Sequence, residues 1–249
     1  MSITTTEQLE KLRACGIIVA RALRAMSKEV RPGVTTAELC GIGSRVLAEH
    51  GARSSPPMIY GFPGDVCISV NDEVVHGIPR DRVIQPGDLV KLDLTAEKDG
   101  YHTDSAVSIE APLAKPDSKA RDLAHCAKRA FRQALVAARV GNLTKDIGRA
   151  VEREVRRCGF HVVKELGGHG IGRTIHEPPS VPNYADSSAQ HKLTEGLVIT
   201  IEPIIAAGTG NVSLDKDGWT YRTTDGSLSA HYEHTIVITR GEPVLLTAA

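Results

Sequence analysis

The 249-residue chain is poor in aromatics, with three Phe, five Tyr and one Trp, and it carries no net charge, 30 Lys+Arg standing against 30 Asp+Glu. That balance argues against a basic nucleic-acid footprint, a polybasic membrane-surface partner and a disordered acidic tail. No apolar run is long enough for a transmembrane helix. The opening Met1–Thr6 lacks the basic and apolar regions of a secretory leader. The five cysteines (Cys15, Cys40, Cys67, Cys126 and Cys158) are odd in number and contain no CxxC. Free thiols in a reducing cytosol are therefore expected, and a thiolate zinc site is not. What is left is a soluble, cytoplasmic, monomeric protein, expected to form one domain over residues 1–249.

Hydrophobic periodicity predicts a helix from about Glu7 to Val30, broken by Pro32-Gly33. Thr35 with Glu38 has the form of a capping box for a second helix ending near Gly51. Strand-like sequence then runs from Val66 to about Glu110. The order repeats: a long helix from Asp117 to Val140, a break at Gly141, a helix to about Arg157, and strands from His161 onward. At an offset of 108, Gly33 meets Gly141, Thr36 meets Thr144, Arg45 meets Arg153 and Gly51 meets Gly159. Two halves, about 1–110 and 111–249, are expected to pack as a pseudo-symmetric pair around a cleft.

The alternating segment Leu89–Thr95 and the run Tyr101–Ile109 read as a hairpin around Lys98-Asp99-Gly100. A turn centred between Lys98 and Asp99 sets Asp93 opposite Asp104, Leu92 opposite Ser105 and Val90 opposite Val107. Like charges facing each other in a sheet are destabilising, so a cation, a shared proton or solvent with Lys91 must relieve them. His169 has glycine on both sides, which permits close backbone approach, and His176-Glu177 follows. Glu202 and Glu233 each sit beside an apolar strand, where an unpaired carboxylate is costly to bury. Asp93, Asp104, His169, Glu202 and Glu233 together form a hard, oxygen-rich donor set. It suits two divalent ions such as Mn2+, Fe2+ or Co2+ better than a structural zinc.

Six stretches then carry a resemblance to type I methionine aminopeptidases, the bacterial short form. They are Val74-Val75-His76-Gly77-Ile78-Pro79, Lys91-Leu92-Asp93-Leu94-Thr95, His102-Thr103-Asp104-Ser105, Gly168-His169-Gly170-Ile171-Gly172-Arg173 with His176-Glu177, Thr200-Ile201-Glu202-Pro203, and Tyr232-Glu233-His234-Thr235. The resemblance implies an α/β (α+β) pita-bread fold, two pseudo-symmetric αβ halves around a curved antiparallel sheet. It implies one ion on Asp93, Asp104 and Glu233 and a second on Asp104, His169, Glu202 and Glu233. Glu202 is then general base and later acid, His176 stabilises the oxyanion and His76 contacts the scissile amide. The substrates implied are peptides and nascent chains with an N-terminal methionine, met at the ribosome.

The ligand set matches the family, and the side-chain pocket departs from it. Pro56 and Ile59 occupy stretches where Cys and Tyr are usual, Ile175 stands for Phe, and Leu166 for an aromatic. Phe62, Cys67 and Trp219 remain pocket-like. His231 stands where the family generally has Gln, on the same strand face as Glu233. The alternatives are a prolidase or aminopeptidase P relative acting on Xaa-Pro peptides, and a binding protein that has lost its metals.

Overall fold

The structure is a computed structural model and describes residues 1–114 and 118–248, so the expected helix start at Asp117 lies outside the described residues. The first half contains helices α1 (Thr6–Glu29) and α2 (Thr36–Glu49), strand β1 (Arg53–Ser54), helix α3 (Ser55–Tyr60), and strands β2 (Cys67–Val70), β3 (Glu73–Val75), β4 (Leu89–Lys98) and β5 (Tyr101–Glu110). The second contains α4 (Ser118–Ala137), α5 (Thr144–Arg157), β6 (His161–Val162), β7 (Gly167–Gly170), β8 (Glu177–Pro182), β9 (Val198–Ile201) and β10 (Ile204–Ala206). It closes with β11 (Val212–Leu214), β12 (Tyr221–Thr223), β13 (Ser229–His231), β14 (Glu233–Val237) and β15 (Val244–Leu245).

Local chemistry accounts for the helix boundaries. The Thr35 side chain accepts from the Glu38 amide at 3.1 Å, and the Glu38 carboxylate accepts from the Thr35 amide at 2.7 Å, completing the capping box. In the second half, Asp146 accepts from the Leu143 amide at 2.9 Å. Helices α2 and α5 begin and end 108 residues apart, each 14 residues long. No helix among the described residues is long and apolar enough to cross a membrane.

The main sheet runs β1-β4-β5-β14-β9-β7-β8, with β2 added beside β4 and β15 beside β14, and its paired strands are antiparallel. Alternation along the strands separates two environments. Leu92 and Leu94 of β4 pack with Leu23 and Leu39 of α1 and α2. Ile199 and Ile201 of β9 and Ile236 of β14 pack with Phe131 and Ile147 of α4 and α5. Each such aliphatic side chain contributes about 1.5–3 kcal/mol by burial. A one-residue slip would reverse every one of them, so these two cores lock which residues turn to the opposite face. The residues so turned include Asp93, Thr95, Thr200 and Glu202.

The hairpin register differs from the expected one. Lys98 pairs with Tyr101, Asp93 faces Ala106, Asp104 faces Thr95, and Leu92 faces Val107. The turn consists of Asp99 and Gly100, with φ of 52° and 79°. A two-residue turn of this hand needs positive φ at both positions, which Asp-Gly supplies more readily than Lys-Asp. The shift is two residues, so the face is preserved. The aspartates are diagonal neighbours rather than a facing pair, and Asp93 has Cys67 opposite it on β2. Replacing Gly100 by Ala would force a Cβ into the left-handed region. We expect a loss of about 1–2 kcal/mol in urea unfolding. A neutral substitution would contradict the turn assignment.

Candidate metal centre

Residues of β4, β5, β7 and β14, with Glu202 just past β9, converge on one cavity. Its lining includes Asp93, Asp104, His169, Glu202 and Glu233, together with His76, His176 and His231. All five ligand candidates, drawn from both halves of the chain, thus meet there. Ligand atoms of Asp104, His169 and Glu233 lie within 4.8 Å of one another, as do those of Glu202, His231 and Glu233. Asp93 belongs to neither triplet and sits beside Asp104. Burial pushes the Asp93 carboxyl well above the usual range, and the Asp104 and Glu202 charges add to this.

Threonines on the same or the adjacent strand aim these carboxylates. The Thr95 hydroxyl donates to Asp104 Oδ2 at 2.6 Å, and the Thr200 hydroxyl donates to Glu202 Oε1 at 2.9 Å. The Asp104 amide donates to Thr235 Oγ1 at 2.8 Å. Thr200 also accepts from the His169 amide at 3.0 Å, which ties β7 to β9. His169 Nδ1 lies 2.9 Å from the Gly170 carbonyl. That contact makes Nδ1 the protonated nitrogen and leaves Nε2 free to act as a ligand. Gly168 allows this strand approach, since a Cβ there would lie 2.4 Å from the Thr200 carbonyl oxygen.

The electrostatics are severe. Burial, then the neighbouring carboxylates, drives Glu233 well above its ordinary value, and Glu202 is pushed up to about 8 by the same two causes in the same order. Lys91 does not relieve them. Its buried ammonium donates to the Asn71 carbonyl at 2.7 Å and to the Ser229 carbonyl and hydroxyl, each at 3.1 Å. Among the described residues the basic side chains nearest Glu202 and Glu233 are the imidazoles of His169 and His231, at 3.4–3.7 Å, and burial lowers these to about 4 and about 3, so they are neutral at pH 7. Asp104 Oδ1 and Glu233 Oε1 are buried without a hydrogen-bond partner. Buried carboxylate oxygens are normally satisfied, so this donor set fits divalent cations.

An apolar annex opens beside the acidic floor, lined by Pro56, Tyr60, Phe62, Cys67, Ile175 and Trp219 and sharing His76, Asp93, Asp104 and His176 with it. Phe62 and Trp219 meet edge to face at 5.3 Å between ring centroids. His176, exposed at the mouth, has Nδ1 2.6 Å from the Tyr60 hydroxyl, and its ring lies 4.2 Å from that of His169. With Tyr60 donating, the His176 Nε2–H is a hydrogen-bond donor. His76 adopts φ of 57°, a conformation uncommon outside glycine. Burial, then the His176 charge, lowers its pKa to about 4, so it is neutral at pH 7.

The pattern of metallopeptidase family M24 matches residues 10–240. The chain is 44% identical to methionine aminopeptidase 2 of Bacillus subtilis, over 99% of both chains. Its fold superposes on the crystal structure of methionine aminopeptidase from Thermotoga maritima with a TM-score of 0.96, at 32% identity and full coverage of both. The chain belongs to metallopeptidase family M24. Its architecture is the pita-bread fold that methionine aminopeptidase and prolidase structures share. The prolidase of Pyrococcus furiosus is a more distant structural neighbour, with a TM-score of 0.77, 25% identity and 65% of its length covered.

One pocket residue is not where the sequence suggested. Ile59 does not line the annex, whereas its neighbour Tyr60 does. In the short helix α3, Pro56 and Tyr60 are four residues apart and share the side that edges the annex, and Ile59 lies off that side. Leu166 lines the metal cavity rather than the annex. Sequence reasoning missed Tyr60 and gave no role to Thr95, Thr200 and Thr235. The available signal was strand parity: Thr95, Thr200 and Thr235 each lie two residues from Asp93, Glu202 and Glu233.

The crowded carboxylates make the metal-free fold pH-sensitive. An acid whose folded pKa is raised loses stability as pH climbs from its unfolded value of about 4.3 to the folded one. Below about 6.5 the buried histidines oppose this, since His76 and His169 are lowered to about 4 and His231 to about 3, chiefly by burial. Above about 7 Lys91, lowered by burial to about 7, works against Glu202, pushed up to about 8, and against Asp93 and Glu233, both raised well above their usual values by burial and neighbouring carboxylates. Chelator-treated protein should therefore melt at falling temperature from pH 6.5 to 8, and excess Mn2+ should abolish the decline. A flat metal-free profile would contradict the clustering of ionisable acids.

Proposed function

We propose that this chain is a methionyl aminopeptidase that hydrolyses the first peptide bond of peptides and nascent proteins beginning with methionine. In this reading it works in the cytoplasm as a monomer, on chains leaving the ribosome. The observation that carries it is the acidic floor, with Asp104 Oδ1 and Glu233 Oε1 left without partners, opening directly into an annex edged by Phe62, Cys67 and Trp219. Asp93, Asp104 and Glu233 would hold one divalent ion, and Asp104, His169, Glu202 and Glu233 a second, with Mn2+, Fe2+ or Co2+ the candidates. Bound there, such ions supply a water acidic enough to ionise near neutral pH and the positive charge that the carboxylates lack.

The chain's own groups do the rest. Glu202, fixed by Thr200, takes the proton of the attacking water and returns it to the leaving amine. His176, oriented by Tyr60, donates to the oxygen that becomes negative as the carbonyl turns tetrahedral. His76 faces the scissile amide. The aromatic edges of Phe62 and Trp219, with Ile175 and Cys67, suit the unbranched thioether of methionine. An acidic floor favours a free α-amine, which restricts cleavage to the N-terminus.

Glu202→Gln should lower turnover of a Met-Ala peptide by about 10²–10⁴-fold, the range for losing a general acid–base group. Near-normal turnover would remove Glu202 from that role. His169→Ala should reduce bound metal per chain, measured by elemental analysis after dialysis. The wild-type protein should cleave Met-Ala peptides and leave Xaa-Pro peptides intact; the reverse preference would assign the chain to the prolidase side of the fold. A metal-free protein that stays inactive after Mn2+ or Co2+ addition would identify a binding relative.

A further inference from the structure

His231 is the one imidazole at the acidic floor that the reading above leaves without a task. It closes β13, opposite Ile204 of β10. Both its backbone groups are clamped to one side chain: its amide donates to Ser108 Oγ at 2.9 Å, and the Ser108 hydroxyl donates to its carbonyl at 2.8 Å. Its neighbour Tyr232 turns the other way and meets the Phe131 ring at 5.4 Å. The ring of His231 is thus directed inward by a fixed backbone, and the residue is 2% exposed.

Neither ring nitrogen has a hydrogen-bond partner. Nε2 lies 3.4 Å from Glu233 Oε2 and 3.7 Å from Glu202 Oε2. Those separations are too long for hydrogen bonds. They fit two donors on a common ion, since ligand atoms about 2.1 Å from one centre stand roughly 3.0–3.6 Å apart at angles of 90–120°. His169 Nε2 holds the matching position on the other oxygen, 3.6 Å from Glu202 Oε1. The Glu202 carboxylate is flanked by two imidazoles.

We propose that His231 is a sixth protein ligand of the metal centre, its Nε2 joining Glu202 and Glu233 on one cation. The proposal rests on the metal-centre reading. A histidine that only buttressed a carboxylate would lie within hydrogen-bond reach of it and would find an acceptor for its second nitrogen. A second nitrogen donor moves the site's preference along the first-row series, toward Co2+ and Zn2+ and away from Mn2+.

The test is equilibrium binding of Co2+, Zn2+ and Mn2+, each alone, to metal-stripped wild type and His231→Gln, followed calorimetrically. The expected result is that His231→Gln weakens Co2+ and Zn2+ at the tighter site by at least tenfold and Mn2+ by less than threefold, with a change in the visible Co2+ absorption. Wild-type binding with unchanged affinities and an unchanged Co2+ spectrum in the variant overturns the proposal and leaves the metal-centre reading intact. Wild type that binds no ion overturns both. A second measurement needs no folded variant at position 231. In Co2+-loaded wild type, proton NMR should show two paramagnetically shifted, exchangeable imidazole N–H signals, one of which disappears in His169→Ala; a single signal overturns the proposal.

Discussion

Four carboxylates share one buried cavity, and among the described residues no lysine or arginine lines it. Charges this close in a low-dielectric site repel strongly enough that the protein alone cannot hold them all ionised. In the metal-free chain the relief is protonation, seen in the raised Asp93, Glu202 and Glu233. The cavity is therefore stable with bound protons or with bound cations, and catalysis uses the second state. Lys91 underlines the point: it is buried next to this region yet gives its three donors to Asn71 and Ser229.

The sheet makes such crowding possible by separating tasks between its faces. Leu92, Leu94, Ile199, Ile201 and Ile236 fill two apolar cores under two helix pairs. The intervening residues have only one direction left to point. Threonines take the positions beside the acids, where a hydroxyl can aim a carboxylate without adding charge. The two halves contribute unlike shares of the site: β4 and β5 bring the aspartates, and β7 and β14, with the residue just past β9, bring the histidine and glutamates. Neither half holds the donor set alone.

Much of this was legible in the chain itself. Alternation in Leu89–Thr95 placed Asp93 on the polar side, and the glycines around His169 announced a close strand approach. The Thr35–Glu38 pair marked the start of α2. The hairpin register was missed by two residues because turn geometry, not the apolar pattern, sets it; the positive φ at Asp99 and Gly100 decided the pairing. Side-chain direction within the six-residue helix α3 is not readable from sequence without its axis, which is why the pattern points to Ile59 and the annex uses Tyr60. Long-range neighbours, such as Thr235 beside Asp104 or His231 beside Glu202, follow only from the order of strands in the sheet.

The most direct measurement is an anomalous difference map from crystals soaked in Mn2+, recorded above the manganese edge. Two peaks about 3.5–4 Å apart, bridged by Asp104 and Glu233, are predicted. Peaks elsewhere on the protein, with none in reach of Glu233, would contradict the claim that these carboxylates exist to hold cations.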